Sequence, residues 1–384
     1  MIRVLHVVGS SKFGGATKVI FSLIDMARQH GLEAEILTDD PLTIEACQER
    51  GIGVFRFRGI DRPIRPHKDL WATVRLARRL RGRYEVVHTH TSKAGAIGRV
   101  AAWIAGVPAI LYANHGWYFH ELSGRLSTLL LSSAERILAL MGDRIICVNE
   151  WDRQKTIDMR IAPPHKVATV YNGIPEDQLR PGRNTTREEL LAELNLPLGS
   201  CLCVHVGRLA EQKGLPYLFE AFAIACRNLP EKDLHLAMVG DGELQADGER
   251  WVEQHGVADR VHFLGFRSDA IRWTGGADLT VNSSLWEGHS ISLLEYMGCG
   301  KPIVATNIRG NRESITHEHD GILVPPADAK GLAEGMTRLI SDPDLARRLA
   351  GEARRTFERR FTLDRMLENT WTVYEGLLKE KGLL

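Results

Sequence analysis

Short apolar, β-branched runs alternate with amphipathic stretches along almost the whole of this chain, and that alternation restricts the fold more than any other feature. Ile2–Val8, Glu33–Leu37, Val54–Phe57, Tyr84–His88, Ala109–Tyr112, Arg144–Val148 and Lys166–Val170 are the first runs. A near-continuous apolar run such as Ile2–Val8 suits a parallel strand buried on both faces. Between the first two runs, Ala16, Val19, Ile20, Leu23, Ile24 and Ala27 form a helical stripe. Serial βα units of this kind build a doubly wound parallel sheet, hence an α/β class fold. The alternation stops at Tyr171-Asn172-Gly173-Ile174-Pro175 and gives way to a polar stretch reaching Gly199. One short helix, Thr186–Leu194, is expected there, because Thr186-Arg-Glu-Glu189 has capping-box spacing. The pattern then restarts with Cys201–Val206, Leu234–Val239, Val261–Leu264, Leu279–Val281, Ile303–Ala305 and Ile322–Val324. At 384 residues the chain exceeds what one core usually supports, so two α/β domains joined near residue 173 are expected. Leu363–Leu378 reads as a last amphipathic helix whose pattern does not say which domain it covers.

Charge and cysteine content close off several function classes. The 49 Lys and Arg against 48 Asp and Glu leave a formal charge of +1, so no global field draws nucleic acid and any anion site must be local. Six scattered cysteines, none in a CxxC pair, read as reduced thiols. No basic segment followed by a long apolar one opens the chain, so no leader peptide is expected. The longest uncharged stretch, Val100 to His120, is 21 residues broken by Gly106, Pro108, Asn114 and two histidines, which does not suit a membrane span. A cytoplasmic chain is the expectation, with a peripheral place at the inner face of the membrane left open.

In parallel sheets, ligands bind at the carboxyl ends of the strands, so the loops there matter most. Gly9-Ser-Ser-Lys-Phe-Gly14-Gly15-Ala-Thr17 nearly spells a P-loop but has Gly15 where that motif needs Lys. Its glycine pair can offer backbone N–H groups to an anion, or serve as a tight turn. Gly207-Arg208 to Lys213-Gly214 sets two cations five residues apart, either converging on a diphosphate or solvated. Glu287-Gly288-His289-Ser290-Ile291 leads into a helix whose N-terminus favours phosphate. Glu295, inside that helix, can accept from two vicinal hydroxyls; both glutamates can equally be surface charges. His88 and His90 alternate along one strand, and Asn114-His115-Gly116-Trp117 ends the next, with His120 behind. A zinc site is disfavoured there because no Asp or Glu lies nearby in sequence. His115 is read as substrate-facing, with buried hydrogen-bonded histidines as the alternative.

Asp342-Pro-Asp344 reads as a helix N-cap followed by Pro, not as a metal-diphosphate site. No metal and no cofactor are therefore expected, and the cation for any diphosphate must come from protein. Between Arg56 and Arg83, ten Arg and Lys residues face only Asp61 and Asp69. Leu70, Trp71, Val74, Ala77 and Leu80 would form the apolar stripe of one basic helix, lying either on an anionic membrane or on the core.

In this order and spacing the motifs resemble the retaining glycosyltransferases of family 4. The resemblance rests on the Gly14-Gly15 loop, His115-Gly, Tyr171-Asn-Gly-Ile174, Gly207-Arg208 with Lys213-Gly214, and Val239-Gly-Asp-Gly242. Phe263-Leu-Gly265, the two glutamates eight apart, Gly300-Lys-Pro-Ile-Val-Ala305 and Gly321-Ile-Leu-Val-Pro325 extend it over nearly the whole chain. His88-Thr-His-Thr-Ser-Lys-Ala-Gly95 with His115-Gly-Trp is similar to bacterial members that build surface polysaccharide and lipopolysaccharide.

The resemblance implies the GT-B architecture: two Rossmann-like parallel-sheet domains facing across a cleft, with the C-terminal helix returning to the first. Residues 1–172 with 362–384 would form an acceptor-side domain and 173–361 a nucleotide-sugar donor domain. It also implies roles. Arg208 and Lys213 would hold the donor diphosphate with Gly14, Gly15 and the Gly288, His289, Ser290 and Ile291 turn. Glu287 would hold the sugar hydroxyls, Glu295 the ribose, and Phe266 and Arg267 the base. His115 would stand at the reaction centre, with His90, Lys93 and Asn114 on the acceptor side. Many members carry Phe-Gly where this chain has His289-Ser290, which bears on the sugar pocket. The implied partners are a UDP- or GDP-sugar and a glycan or lipid-linked acceptor. A nucleotide-sugar epimerase of the same fold is the alternative reading.

Overall fold

The computed structural model describes residues 1–9, 15–61, 63–117 and 124–384. They form two compact units, Met1–Tyr171 with Met366–Leu384, and Asn172–Arg365. Every expected strand is present. In the first unit these are β1 (Arg3–Val7), β2 (Glu33–Thr38), β3 (Gly53–Arg56), β4 (Val86–His90), β5 (Ala109–Asn114), β6 (Arg144–Cys147) and β7 (Val167–Thr169). They pair in parallel in the order β3-β2-β1-β4-β5-β6-β7. The second unit holds β8 (Cys201–Val206), β9 (Leu234–Val239), β10 (Val261–Phe263), β11 (Leu279–Asn282), β12 (Ile303–Thr306) and β13 (Ile322–Val324). Their order is β10-β9-β8-β11-β12-β13, again all parallel. Strand order reverses once in each sheet, between β1 and β4 and between β8 and β11. A crevice opens at the carboxyl ends of strands at such a reversal.

Apolar runs and helical stripes meet where their periods require. In the first unit Leu5, Val7, Leu37 and Val87 pack with Ala94, Ile97 and Ala101. In the second, Leu236, Met238, Val281 and Val304 pack with Phe219, Phe222, Leu332 and Met336. Each large side chain so buried contributes about 1.5–3 kcal/mol. Asp342 caps the helix Pro343–Arg360 by accepting from the Leu345 amide at 3.0 Å, as its Asp-Pro spacing suggests.

The last helix, Leu363–Glu380, serves the first unit. Its Tyr374 hydroxyl lies 2.8 Å from His88 Nδ1, Trp371 stacks on His30 at 3.6 Å, and Lys381 beyond it pairs with Asp143 at 2.6 Å. The unit breaks lie close to, but not at, the expected 172/173 and 361/362. Asn172 stays with the second unit because its amide donates to His289 Nδ1 at 3.1 Å. Thr362 and Leu363 stay there because the Leu363 amide donates to Ile174 O at 3.0 Å, and the Ile174 amide to Phe361 O at 3.0 Å.

Two expectations need correction. The polar stretch after Pro175 contains a second helix, Glu176–Asn184, in addition to Arg187–Glu193 with its Thr186 cap. Pro181 and Gly182 hide it in the sequence, and tertiary packing overrides their low propensity. A Cβ on Gly275 would lie 1.8 Å from Gly182 O, and one on Gly182 would lie 2.4 Å from Ile271 O, so this helix and Ala270–Gly276 meet through bare glycines. The basic helix, Pro66–Leu80, also buries a different stripe: Ala72, Thr73, Leu76, Ala77 and Leu80 are inside, whereas Leu70, Trp71 and Val74 are exposed. Its arginines cap the sheet edge. Arg75 lies over Phe57 and Trp71, and Arg79 lies over Phe55 and donates to Arg56 O at 2.9 Å. Among the described residues no helix is long and apolar enough to cross a membrane.

Gly275→Ala should destabilise the second unit by about 1–3 kcal/mol, because the obstructing atom is backbone and cannot rotate away. Gly199→Ala, where a Cβ would meet nothing within 4 Å, should not. Thermal denaturation of the two variants side by side checks this.

Candidate functional site

The second unit builds its candidate site where β8 and β11 diverge. The loop after β8 carries Gly207 to Gly214, and the loop after β11 carries Ser283 to Ser290. Hydrogen bonds to backbone carbonyls lash the two together: the Leu285 amide donates to Gln212 O at 2.8 Å, and the Ser283 hydroxyl donates to Lys213 O at 2.7 Å. Gly214 adopts φ +60°, and a Cβ there would lie 2.4 Å from Ser283 O, so only glycine fits this crossing.

Lys213 Nζ lies 2.5 Å from Glu287 Oε1, with side-chain exposures of only 13% and 10%. Glu287 also accepts from Gln212 Nε2 at 2.9 Å and Ser284 Oγ at 3.0 Å. Neither Gln212 nor Ser284 was singled out in the sequence, although each sits within three residues of a residue that was. The Lys213 stem runs across Gly207, where a Cβ would stand 2.9 Å from its Cε. Arg208 does not join this cluster. Its guanidinium makes an exposed ion pair with Glu243 at 2.9 Å, a contact worth at most about 1 kcal/mol and easily exchanged.

Behind the pair, His289 is buried with both ring nitrogens engaged. The Asn172 amide donates to Nδ1, so Nε2 carries the proton and donates to Ser314 Oγ at 3.0 Å. Asn172 Nδ2 also donates to His289 O at 3.2 Å. Burial, with the positive charge of Arg360 nearby, pushes this imidazole down to about 3, so it stays neutral. His289 therefore has its backbone, not its ring, to offer a ligand.

Ser290 stands at the N-cap position of the helix Ile291–Gly298 and is buried, its Oγ accepting from Asn282 Nδ2 at 3.2 Å instead of capping a helix amide. Gly288 packs on Gly310, whose Cβ would lie 2.6 Å from Gly288 O. On the same helix Glu295 accepts from Gln178 Nε2 at 2.8 Å, a partner from the helix hidden in sequence. Ile291 and Phe266 are exposed, whereas Arg267 is held by Asp269 and Glu193, both at 2.8 Å. Below Lys213, His205 Nδ1–H donates to Val281 O at 3.1 Å, and burial with the Lys213 charge pushes that ring to about 4.

In the first unit His115 follows β5 and is exposed, while Asn114 is buried and accepts from the Gly116 amide at 3.2 Å. His90 is buried at the end of β4. Lys93 is tied to Asp69 at 2.7 Å. Of these four side chains, only that of His115 is free to face solvent. His6, absent from the sequence reading, joins His88 and His90: it pairs with His88 in register, and its Nδ1 lies 3.1 Å from His90 Nε2. Gly15 opens the helix Gly15–Gln29; Gly14 and the loop before it lie outside the described residues, as does His120.

Two doubly wound parallel-sheet units on one chain, with the final helix packed on the first, define the GT-B class of fold. Residues 13–178 match the family model described as Glycosyltransferase Family 4, and residues 186–356 match that described as Glycosyl transferases group 1. The chain thus carries a Glycosyltransferase Family 4 domain followed by a Glycosyl transferases group 1 domain, and it is a glycosyltransferase. An Escherichia coli relative named UDP-Gal:alpha-D-GlcNAc-diphosphoundecaprenol alpha-1,3-galactosyltransferase is 27% identical over 345 residues, spanning 89% of this chain and 88% of its own. The solved structure of Anabaena HepE in complex with UDP superposes with a TM-score of 0.81 at 21% identity, over 98% of this chain and 100% of HepE. WaaG, a glycosyltransferase involved in lipopolysaccharide biosynthesis, superposes with a TM-score of 0.72 at 18% identity, over 96% of this chain and 98% of its own.

The buried imidazoles set an acid limit on stability. His205 and His289 have folded values of about 4 and about 3, below an unfolded value of about 6.5. Their neutral forms cost nothing above pH about 6.5. As pH falls below it, the unfolded chain takes up protons that the folded one refuses, so stability is lost toward the folded values. Each should contribute roughly 1 kcal/mol per pH unit in that window. Unfolding free energies measured at pH 5 and pH 7 should differ less in His289→Phe than in the parent.

Proposed function

We propose that this enzyme moves a sugar, with retained anomeric configuration, from a UDP- or GDP-sugar to a glycan or lipid-linked glycan acceptor in cell-surface polysaccharide synthesis, without a metal ion. The observation that carries the reading is the Lys213–Glu287 pair at the β8/β11 reversal. A cation and a carboxylate held side by side suit a donor with an anionic diphosphate on one side and sugar hydroxyls on the other. The E. coli relative's name, with a UDP-sugar donor and a lipid diphosphate acceptor, and the UDP bound to HepE favour a uridine donor.

Each residue then has a task. Glu287 balances Lys213 before the donor arrives and afterwards accepts from the sugar hydroxyls. Lys213 meets the diphosphate, and Arg208 joins it by leaving its exposed pair with Glu243. The Ser290 and Ile291 amides at the helix N-terminus add uncharged donors, and the Gly14-Gly15 turn would offer donors of the same kind. Glu295, oriented by Gln178, takes the ribose hydroxyls; Phe266 stacks on the base beside Arg267. His115 addresses the acceptor and the transferred sugar, with Asn114, His90 and Lys93 holding its surroundings.

The acceptor oxygen attacks the anomeric carbon on the face the phosphate leaves. The C–O bond to phosphate breaks, and the acceptor proton passes to the departing phosphate oxygen. Negative charge grows on that oxygen, so preorganised cations lower the barrier. Exposed Leu70, Trp71 and Val74 beside Lys68 and Arg78 give the first unit a surface for an anionic membrane, where a lipid-linked acceptor would reside.

Assayed in EDTA with a UDP-sugar, the first-formed product should keep the donor's anomeric configuration by NMR, and added Mg²⁺ should change nothing. In that assay Lys213→Ala should lower kcat by roughly 10²–10³. Glu295→Ala should mainly raise the donor KM, since a ribose hydroxyl develops no charge. Inversion, or the reverse kinetic pattern in folded variants, would overturn the roles.

Leu70→Asp with Trp71→Asp should weaken binding to anionic vesicles at least about tenfold, as two apolar side chains no longer insert. Transfer to a soluble acceptor should be unchanged. Vesicle sedimentation measures the first effect.

A further inference from the structure

We propose that His6, His88 and His90 form a binding site for one imidazole-preferring divalent metal ion of the zinc, cobalt or nickel kind, inside the first unit and apart from the donor site. All three rings are fully buried, and they stand together because the fold makes them. β1 and β4 pair so that His6 is opposite His88, and His90, two residues on, shares that face. The ring centroids of His88 and His90 are 4.3 Å apart, and those of His6 lie 5.3 and 5.4 Å from the other two. One nitrogen from each ring can be chosen so that all three lie within 4.8 Å of one another.

Hydrogen bonding alone does not account for the cluster. His6 and His90 share one contact at 3.1 Å, and His88 Nδ1 meets the Tyr374 hydroxyl at 2.8 Å. His6 Nε2 and His88 Nε2 are buried and have no partner among the described residues. A metal held by His6 Nδ1, His90 Nε2 and His88 Nε2 would give the orphaned His88 nitrogen a partner. In a tetrahedral site with metal–nitrogen bonds of about 2.0–2.1 Å, neighbouring ligand nitrogens lie about 3.3 Å apart. The closest pair, His6 Nδ1 and His90 Nε2 at 3.1 Å, is already near that spacing.

Tyr374 supplies the outer support such sites use. Its oxygen, accepting from His88 Nδ1–H, would leave the Nε2 lone pair for the metal. An all-imidazole set excludes magnesium and calcium and favours the borderline transition metals. His115, whose ring centroid lies 6.1 Å from that of His90, is exposed and marks the way in. Sequence spacing disfavours a metal because no carboxylate is close by, but three histidines with a water as fourth ligand need none. Bound metal would tie the last helix, through Tyr374, to the centre of the sheet.

The test uses the whole protein, stripped by dialysis against chelator and titrated with Co²⁺. One equivalent per chain should bind with the visible absorption bands of a four- or five-coordinate ion, be displaced by Zn²⁺, and be untouched by Mg²⁺. His6→Ala and His88→Ala should lose the bands. Tyr374→Phe, a gentler change, should keep them with affinity lowered about 10–100-fold. No saturable binding near one equivalent, or bands that survive in both histidine variants, would overturn the site. Should the histidine variants fail to fold, unchanged Co²⁺ affinity in Tyr374→Phe would overturn it equally.

Discussion

Each parallel sheet reverses its strand order once, and the rest of the molecule depends on that reversal. Helices leave to opposite faces on either side of it, so no crossover covers the carboxyl ends of β1 and β4, or of β8 and β11. After β8 and β11 the loops bring Lys213 to Glu287; within β1 and β4 themselves, parallel register sets His6 beside His88, with His90 on the same face.

Burying Lys213 with Glu287 carries a risk. Removing one partner of a buried pair strands the other charge, at a cost of about 3–5 kcal/mol. Gln212 and Ser284 reduce that cost by satisfying the remaining carboxylate lone pairs. The arrangement holds a charged pair in place without collapsing it, as the proposed diphosphate site requires. Arg208 is the opposite case: exposed and loosely paired with Glu243, it costs little to move.

His289 connects that site to the point where the chain passes from one unit to the other. A neutral ring accepts from the Asn172 amide and donates to Ser314, while its carbonyl accepts from the Asn172 side chain. A phenylalanine in its place could fill the space but make neither ring contact. The histidine thus exchanges an apolar contact for a directional one, and the chain entering the second unit is hydrogen-bonded to the turn that precedes the Ile291–Gly298 helix.

Local pattern determined much of this protein. Thirteen strands, the Thr186 and Asp342 caps, and the division into two α/β units are legible because period-2 and period-3.6 burial are properties of neighbouring residues. The Glu176–Asn184 helix was not legible, since only its packing against Ala270–Gly276 through Gly182 and Gly275 outweighs Pro181. The buried stripe of the basic helix was misread because Leu70 and Trp71 have the right chemistry but face away from the sheet. Sequence alone named Lys213, Glu287 and Glu295. It could not supply Gln212, Ser284, Gln178, His6 or Tyr374, nor pair buried Arg99 with Glu135 at 2.8 Å. Those partners come from separate elements or from turns of unforeseen shape. Only the crossing of strands and loops brings them within hydrogen-bonding distance, and that crossing is decided by the tertiary structure.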